Sequence, residues 1–321
     1  MRISVIVPAY NAGKNIGECL KSLKDQDTKH NYEIIVVDDG STDDTEKIAS
    51  KNNVELISQK NKGPATARNS GAMAAKGEIV VFIDSDCVAT KNWLDEMAAP
   101  FADPKVAGVQ GAYLTKQMEI VAKYVQIEIE ERYERLKKHK SIDFVGSYSA
   151  AYRKSVFDEV GGFDESFPIA SGEDPDLSFK ISKKKYKLVF NPKAKVYHQH
   201  PTSMLEYLYT KFYRAYWRIR LYSKHKEKII SDSYTPQRLK IQIIIFYAFA
   251  ISLVLGIFFR PLILISAISL LIFLISSIPF AIYASRKDFT VAILSPIFLL
   301  LRSAVFSGGL IYGFLREVLG L

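Results

Sequence analysis

Ile79-Val80-Val81-Phe82-Ile83-Asp84-Ser85-Asp86 decides how this chain is read. Four β-branched residues and one aromatic form the continuous apolar run of a strand buried on both faces, and the run stops at two carboxylates one residue apart. In an open parallel sheet, the carboxyl ends of the strands border the crevice where ligands bind. Asp-X-Asp at that edge offers hard oxygen donors to a divalent cation, which in turn grips phosphate oxygens. The same residues also suit an ordinary surface turn, so their setting has to choose between the two readings.

Working outward, residues 3–7 read as a first strand that ends in Pro8-Ala9-Tyr10-Asn11, and residues 15–24 carry Ile16, Cys19, Leu20 and Leu23 at helical spacing. A second strand over 32–37 ends in Asp38-Asp39-Gly40-Ser41. A third over 54–58 leads through Asn61-Lys62-Gly63-Pro64 into a helix over 65–75, with Arg68 one turn in. This βαβαβαβ rhythm with short links predicts an α/β domain with a parallel sheet covered by helices on both sides. Further on, the pattern predicts a helix over 91–101, a strand over 106–113, a long helix over 119–139 and a strand rich in small residues over 144–152. Gly172-Glu173-Asp174-Pro175-Asp176-Leu177 opens a helix running to about 184, where acids favour the positive end of the helix dipole. Short strands over 188–190 and 195–197 precede His198-Gln199-His200.

The remainder of the 321-residue chain changes character. Apolar stretches over 239–259, 261–284 and 289–314 approach or exceed the roughly 20 residues that cross a bilayer core. Fourteen Lys or Arg stand against two Glu between Lys180 and Lys228. With no secretory leader before Pro8, that excess predicts a multi-pass protein of the cell membrane whose N-terminal domain is cytoplasmic. Tyr207, Tyr209, Phe212, Tyr213, Tyr216, Trp217 and Tyr222 interleave with those cations, which predicts an interfacial amphipathic helix at about 203–222. The net charge of +9 is therefore assigned to a membrane rather than to nucleic acid. The expected division is a domain over 1–222, a linker over 223–238 and an all-α membrane region over 239–321. Arg302, inside the third stretch, either faces a protein interior or marks a re-entrant segment. Cys19 and Cys87 are expected to be unlinked.

Taken in order, Val5-Ile-Val-Pro-Ala-Tyr-Asn11, Val36-Val-Asp-Asp-Gly-Ser-Thr-Asp43, Gly63-Pro-Ala-Thr-Ala-Arg-Asn-Ser-Gly71, Phe82-Ile-Asp-Ser-Asp86, Gly161-Gly-Phe-Asp-Glu165 and Gly172-Glu-Asp-Pro-Asp-Leu177 make a specific set. No Gly-X-Gly-X-X-Gly or Walker loop accompanies them. Over roughly residues 1–220 the chain resembles family 2 glycosyltransferases, and the resemblance implies their GT-A fold, a Rossmann-like, mixed but mainly parallel sheet flanked by helices. The resemblance implies transfer of a sugar from a nucleotide-sugar donor with inversion, helped by Mg²⁺ or Mn²⁺. It implies that Pro8, Ala9, Tyr10, Asn11 and Asp39 surround the nucleoside, with Asp39 accepting from uracil if the donor is the favoured UDP-sugar. It puts Arg68 on the base or diphosphate, Asp84 on the ribose or metal with Ser85 beside it, and Asp86 on the metal. His198 is aligned with a metal or diphosphate contact, and His200 stays open as the alternative. Asp174 matches the family's base, while Glu173 either raises its pKa or orients the acceptor.

Processive relatives carry Gln-X-X-Arg-Trp on an interfacial helix. Here the region reads Lys211-Phe-Tyr-Arg-Ala-Tyr-Trp217, which favours single or limited sugar addition. The expected acceptor is a hydroxyl of a polyprenyl-linked glycan, or polyprenyl phosphate, used for cell-surface glycan or protein glycosylation. A processive polysaccharide synthase and a catalytically silent membrane subunit are the alternatives, and the oligomeric state stays open.

Overall fold

Alternating apolar strands and amphipathic helices build β1 (Arg2–Ala9), α1 (Ile16–Lys24), β2 (Asn31–Asp38), α2 (Thr45–Ser50), β3 (Glu55–Ser58), α3 (Pro64–Ala74) and β4 (Ile79–Ile83). The chain continues through β5 (Val88–Ala89), α4 (Trp93–Ala98), β6 (Val106–Leu114), α5 (Ile120–Leu136), β7 (Ser149–Arg153), α6 (Lys154–Glu159), α7 (Glu173–Lys183) and β8 (Lys187–Tyr197). The helices α8 (Met204–Lys224), α9 (Gln237–Leu255), α10 (Pro261–Ser285) and α11 (Phe289–Leu319) complete it. The computed structural model describes residues 1–169, 171–230, 232–233 and 235–319. Ala170 before the acidic stretch, Ser231 and Tyr234 of the expected linker, and Gly320 and Leu321 of the expected membrane region lie outside the described residues. Two units divide the chain: Met1–Lys116 with Tyr133–Gln199, and Gln117–Arg132 with His200–Leu321.

The first unit is one sheet in the order β3-β2-β1-β4-β7-β6-β8-β5. Strands β1, β2, β3 and β4 run parallel, β7 is antiparallel to both neighbours, and β6 and β8 are again parallel, which is the mixed, mainly parallel sheet expected. All five residues of β4 are buried, as its unbroken apolar run requires. Its alternate residues Ile79, Val81 and Ile83 pack into one core with Ile16, Cys19, Leu20 and Leu23 of α1. On the opposite face, Phe82 meets Phe157 and Phe163 at ring-centroid distances of 5.6 and 5.3 Å. A Cβ at Gly71 would stand 2.5 Å from Ile6 Cγ2, so only glycine lets α3 lie this close to β1.

Two expectations change. Residues 144–148 are not strand, because their amides are taken by side chains instead of a neighbouring strand. Val145 donates to Ser178 Oγ (3.0 Å), Gly146 to Gln110 and Ser147 to Asp174 Oδ2 (3.0 Å), and β7 begins only at Ser149. The two short strands at 188–190 and 195–197 are one strand, β8, whose pairing to β6 shifts register between Gln110 and Ala112 and so leaves residues 191–194, with Pro192 among them, opposite Gly111. The two-residue β5 has no periodic signal of its own and exists through pairing with Val196 and Tyr197.

In the second unit, α8 starts at Ser203, whose hydroxyl accepts the Glu206 amide at 3.2 Å. The helix expected at 203–222 thus groups with the C-terminal helices. Each of α9, α10 and α11 is long and apolar enough to cross a membrane. A Cβ at Gly309 would lie 2.4 Å from the Phe212 carbonyl oxygen, and one at Gly313 2.7 Å from that of Tyr216, so these glycines permit the close approach of α11 to α8. Arg302 lies within the continuous helix α11 and faces the unit's interior. It donates to Glu128 Oε1 (2.7 Å) and Gln242 Oε1 (2.9 Å), while Glu128 Oε2 accepts from Lys211 (2.8 Å) and Tyr207 (3.3 Å). Burial alone would raise the Glu128 pKa, but Lys211 and Arg302 outweigh it and hold the carboxyl well below its ordinary range.

Removing one partner of a buried ion pair costs about 3 kcal/mol or more. Arg302→Ala is therefore expected to lower the melting temperature of the detergent-solubilised chain by several degrees, whereas Arg286→Ala, at an exposed position, leaves it in place. Equal melting of the two variants would show that the network carries no stability.

Candidate active site

The parallel register brings the carboxyl ends of β1 and β2 level, with Ala9 opposite Asp38. Pro8 and Ala9 close β1, and Tyr10 beyond them is 52% exposed. Asn11 sits at φ 48°, a conformation Asn tolerates better than most residues, and uses its side chain to hold the neighbouring loop. Its Oδ1 accepts the Thr42 amide at 2.8 Å, and its own amide donates to Ser41 Oγ at 2.9 Å.

Asp39 is buried, and its carboxylate accepts from Gln59 Nε2 (2.7 Å) and from the amides of Lys62 (3.0 Å) and Gly63 (2.8 Å). Gln59 Oε1 in turn accepts from Ser70 Oγ at 2.8 Å. Residues 59–63 are thus fixed by a side chain that the sequence reading reserved for a nucleobase. Gln59 carries no signal in the sequence, and Ser70, inside the Gly63–Gly71 motif, is given no role there.

Arg68, in the first turns of α3, is buried and has one arm on each of two carboxylates. Nη2 donates to Asp84 Oδ1 at 3.1 Å, and Nη1 to Glu173 Oε1 at 3.0 Å. Burial works against its charge, yet Asp84, Asp174 and Glu173 together hold its pKa above the usual guanidinium value. Glu173 spends its other oxygen on the amides of Ser171 (2.8 Å) and Gly172 (3.1 Å).

At the end of β4, Asp86 Oδ2 lies 3.4 Å from His198 Nε2. The pairing of β5 with the last residues of β8 brings the two together across more than a hundred residues of sequence. His200 goes elsewhere, its ring bonding Gln126 Oε1 at 2.8 Å in the second unit. Asp84 and Asp86 diverge: burial, with Asp86 beside it, raises the Asp84 pKa against the pull of Arg68, whereas the His198 contact outweighs burial and lowers that of Asp86. Ser85 lies half-buried between them.

Among the described residues, no group of three or more His, Cys, Asp and Glu side chains stands ready to enclose a metal. The donor set at Asp86 and His198 nevertheless fits a hard divalent cation. Mg²⁺ and Mn²⁺ sites of this kind use one or two protein carboxylates and leave the remaining positions to water and substrate phosphates, and these side chains are 38% and 18% exposed.

Asp174, in the first turn of α7, accepts the amide and hydroxyl of Ser147 on Oδ2 at 3.0 and 3.2 Å. Its Oδ1 is shielded from solvent and has no hydrogen-bond partner among the described residues. Burial first, and the charge of Glu173 second, push its pKa up from 3.8 to about 7 against the opposing pull of Arg68. The sequence could not single out Ser147, which lies 27 residues away in an irregular segment.

A carboxyl whose folded pKa is raised contributes stability that is fully present below 3.8 and is lost as the pH climbs through about 7. Asp174→Asn is neutral at every pH. Its melting temperature relative to wild type should therefore increase from pH 4 to pH 8, and a pH-independent difference would contradict the raised pKa.

Comparison with known proteins gives the family and the fold. Residues 4–161 match the description Glycosyl transferase family 2. The chain is 29% identical over 236 residues to the pre-mycofactocin glycosyltransferase of Mycobacterium tuberculosis, a match covering 70% of this chain and 48% of that protein, so it spans about half that relative's length. It is 30% identical over 213 residues to the O-antigen chain rhamnosyltransferase RfbN of Salmonella typhimurium, covering 62% of this chain and 67% of that one. In fold it is similar to the mannosyltransferase PcManGT from Pyrobaculum calidifontis, solved in complex with GDP-Man and Mn²⁺, with a TM-score of 0.60 at 20% identity over 98% of this chain and 86% of that chain. With its mixed, mainly parallel sheet, its flanking helices and its strand-end acids, the chain belongs to glycosyl transferase family 2 and has the GT-A fold.

Proposed function

We propose that this glycosyltransferase is a metal-dependent, inverting enzyme, anchored in the membrane, that moves one or a few sugars from a nucleotide donor to a hydroxyl of a lipid-linked acceptor. The observation that carries the reading is Arg68: one buried guanidinium bonds both Asp84 and Glu173, the neighbour of Asp174, which supports reading these carboxylates as the donor and acceptor ends of one site. Mg²⁺ or Mn²⁺ at Asp86 and His198 would supply positive charge to the departing nucleoside diphosphate.

The remaining work falls to the chain. Pro8, Ala9, Tyr10 and Asn11, with the loop tied down by Asp39, border the nucleoside, and Asp84 with Ser85 lies beside the ribose. Asp174 takes the proton of the acceptor hydroxyl as that oxygen bonds the anomeric carbon from the face opposite the leaving diphosphate. Glu173 keeps Asp174 basic through its charge and holds Arg68 in line, acting by position rather than by contact with substrate. A hydroxyl acceptor requires this base, whereas a phosphate acceptor is already ionised.

The membrane acceptor rests on α9, α10 and α11, on the aromatic and basic helix α8 before them, and on a relative that builds O-antigen chains. The basic excess before α9 supports a cytoplasmic catalytic unit. Three hydrogen bonds already satisfy much of Asp39, which leaves the base open between uracil, first favoured, and guanine, as in the donor of the mannosyltransferase.

Membranes containing the chain, offered labelled UDP- and GDP-sugars, should label a lipid whose mass increases by one or a few sugars, and EDTA should abolish the labelling. A water-soluble product alone would refute the lipid acceptor, and a long polymer would refute limited addition. Loss of a general base costs about 10²–10⁴-fold, so Asp174→Asn should lose that much of kcat/KM. In the wild type, kcat/KM should climb with pH and level off above about 7, as Asp174 ionises. A flat profile, or an active Asp174→Asn, would remove Asp174 from the mechanism.

A further inference from the structure

We infer that Tyr113 is a positioning residue that fixes the imidazole of His198 for the metal, through an aromatic stack anchored on the hydroxyl of Tyr133. The inference rests on the reading of Asp86 and His198 as the metal-holding pair. The main chain of His198 is set by the sheet edge, its amide donating to the Leu114 carbonyl at 2.9 Å. That bond fixes the Cα but leaves the ring's χ2 torsion, which is broad for histidine, to be decided by what the ring touches. Its face packs on Tyr113, with ring centroids 4.4 Å apart at 35°. Tyr113 is stacked on Tyr148 at 3.6 Å and 16°, so a second ring backs the first.

The stack ends on a fixed point. The Tyr148 and Tyr133 hydroxyls lie 2.8 Å apart, and the Tyr133 hydroxyl also accepts the backbone amide of Tyr113 at 2.8 Å. Tyr133 is buried and stacked on Phe190 at 4.8 Å. One phenol thereby anchors Tyr113 at its main chain and, through Tyr148, at its ring. The result is a column of rings from the interior to the imidazole whose Nε2 faces Asp86. A ligating imidazole has to be held in one orientation, and loss of such outer support weakens metal binding by about 10–100-fold. None of the three tyrosines is assigned a contact with substrate.

The test is Mn²⁺ binding to the full chain in detergent without donor, read from the electron paramagnetic resonance signal of unbound Mn²⁺, for His198→Ala, Tyr113→Leu, Tyr113→Phe and the double variant of His198→Ala with Tyr113→Leu. Each is checked for a wild-type-like melting curve. Tyr113→Leu should weaken binding about 10-fold and Tyr113→Phe, which keeps the ring, should bind as wild type. In the His198→Ala background, Tyr113→Leu should add nothing. If Tyr113→Leu does not fold, Tyr113→Met, whose flexible chain adapts to the space but has no planar face, carries the same expectation. Wild-type affinity in Tyr113→Leu alongside weakened binding in His198→Ala would overturn the inference and leave the metal reading standing. Wild-type affinity in His198→Ala would overturn the metal reading and the inference with it.

Discussion

A buried guanidinium is costly unless its charge is met, and Arg68 is met at both ends of its fork. Asp84 closes the strand at the middle of the sheet, Glu173 opens α7, and Arg68 itself stands in α3, so three elements distant in sequence share one cation. The dependence runs both ways. Without Arg68, Asp84, Glu173 and Asp174 would be like charges crowded in a poorly hydrated place, and without them Arg68 could not be buried. The helix that carries Arg68 also packs so closely on β1 that a side chain at Gly71 would collide with Ile6.

The same logic sorts the polar residues at the strand ends into two kinds. Asn11 and Asp39 give their side-chain oxygens to the amides of neighbouring loops, doing for irregular backbone what a neighbouring strand would do for a ladder, and Gln59 and Ser147 in turn bond the carboxylates of Asp39 and Asp174. Asp174 keeps one oxygen without a partner among the described residues, and Asp86 keeps its charge facing an imidazole. An oxygen left unsatisfied at the end of a well-packed helix is destabilising, and such a cost persists at positions where chemistry requires it.

Much of the fold was legible because its signals are local. The β4 run, the amphipathic spacing of α1 and the breaks at Gly63-Pro64 and Gly161-Gly162 each lie within a few residues of what they specify. What escaped depends on distance along the chain. Residues 144–148 have the composition of a strand, yet their amides are claimed by Gln110, Asp174 and Ser178, about 30 residues away. Arg68 carries no mark that its partner lies 105 residues on, so the sequence offers it to the donor, while the fold gives both its arms to carboxylates. His198 and His200 are equivalent in sequence and part only in the fold, where His198 follows Tyr197 in its pairing with β5 and faces Asp86 while His200 bonds Gln126. The column of Tyr113, Tyr148 and Tyr133 has no motif, because stacking needs only that rings meet.

The second unit repeats the rule of the first in an apolar setting. A cation in a membrane-length helix is admitted only with partners, and the carboxylate that meets Arg302 comes from Glu128 of α5, outside the three apolar helices. Lys211 of α8 completes the pair and Gln242 of α9 takes the second arm. The arrangement that satisfies Arg302 therefore requires segments on both sides of β7, β8 and α7 in the sequence. Helices that length and composition alone would treat as independent spans are tied by one charge to residues 117–132.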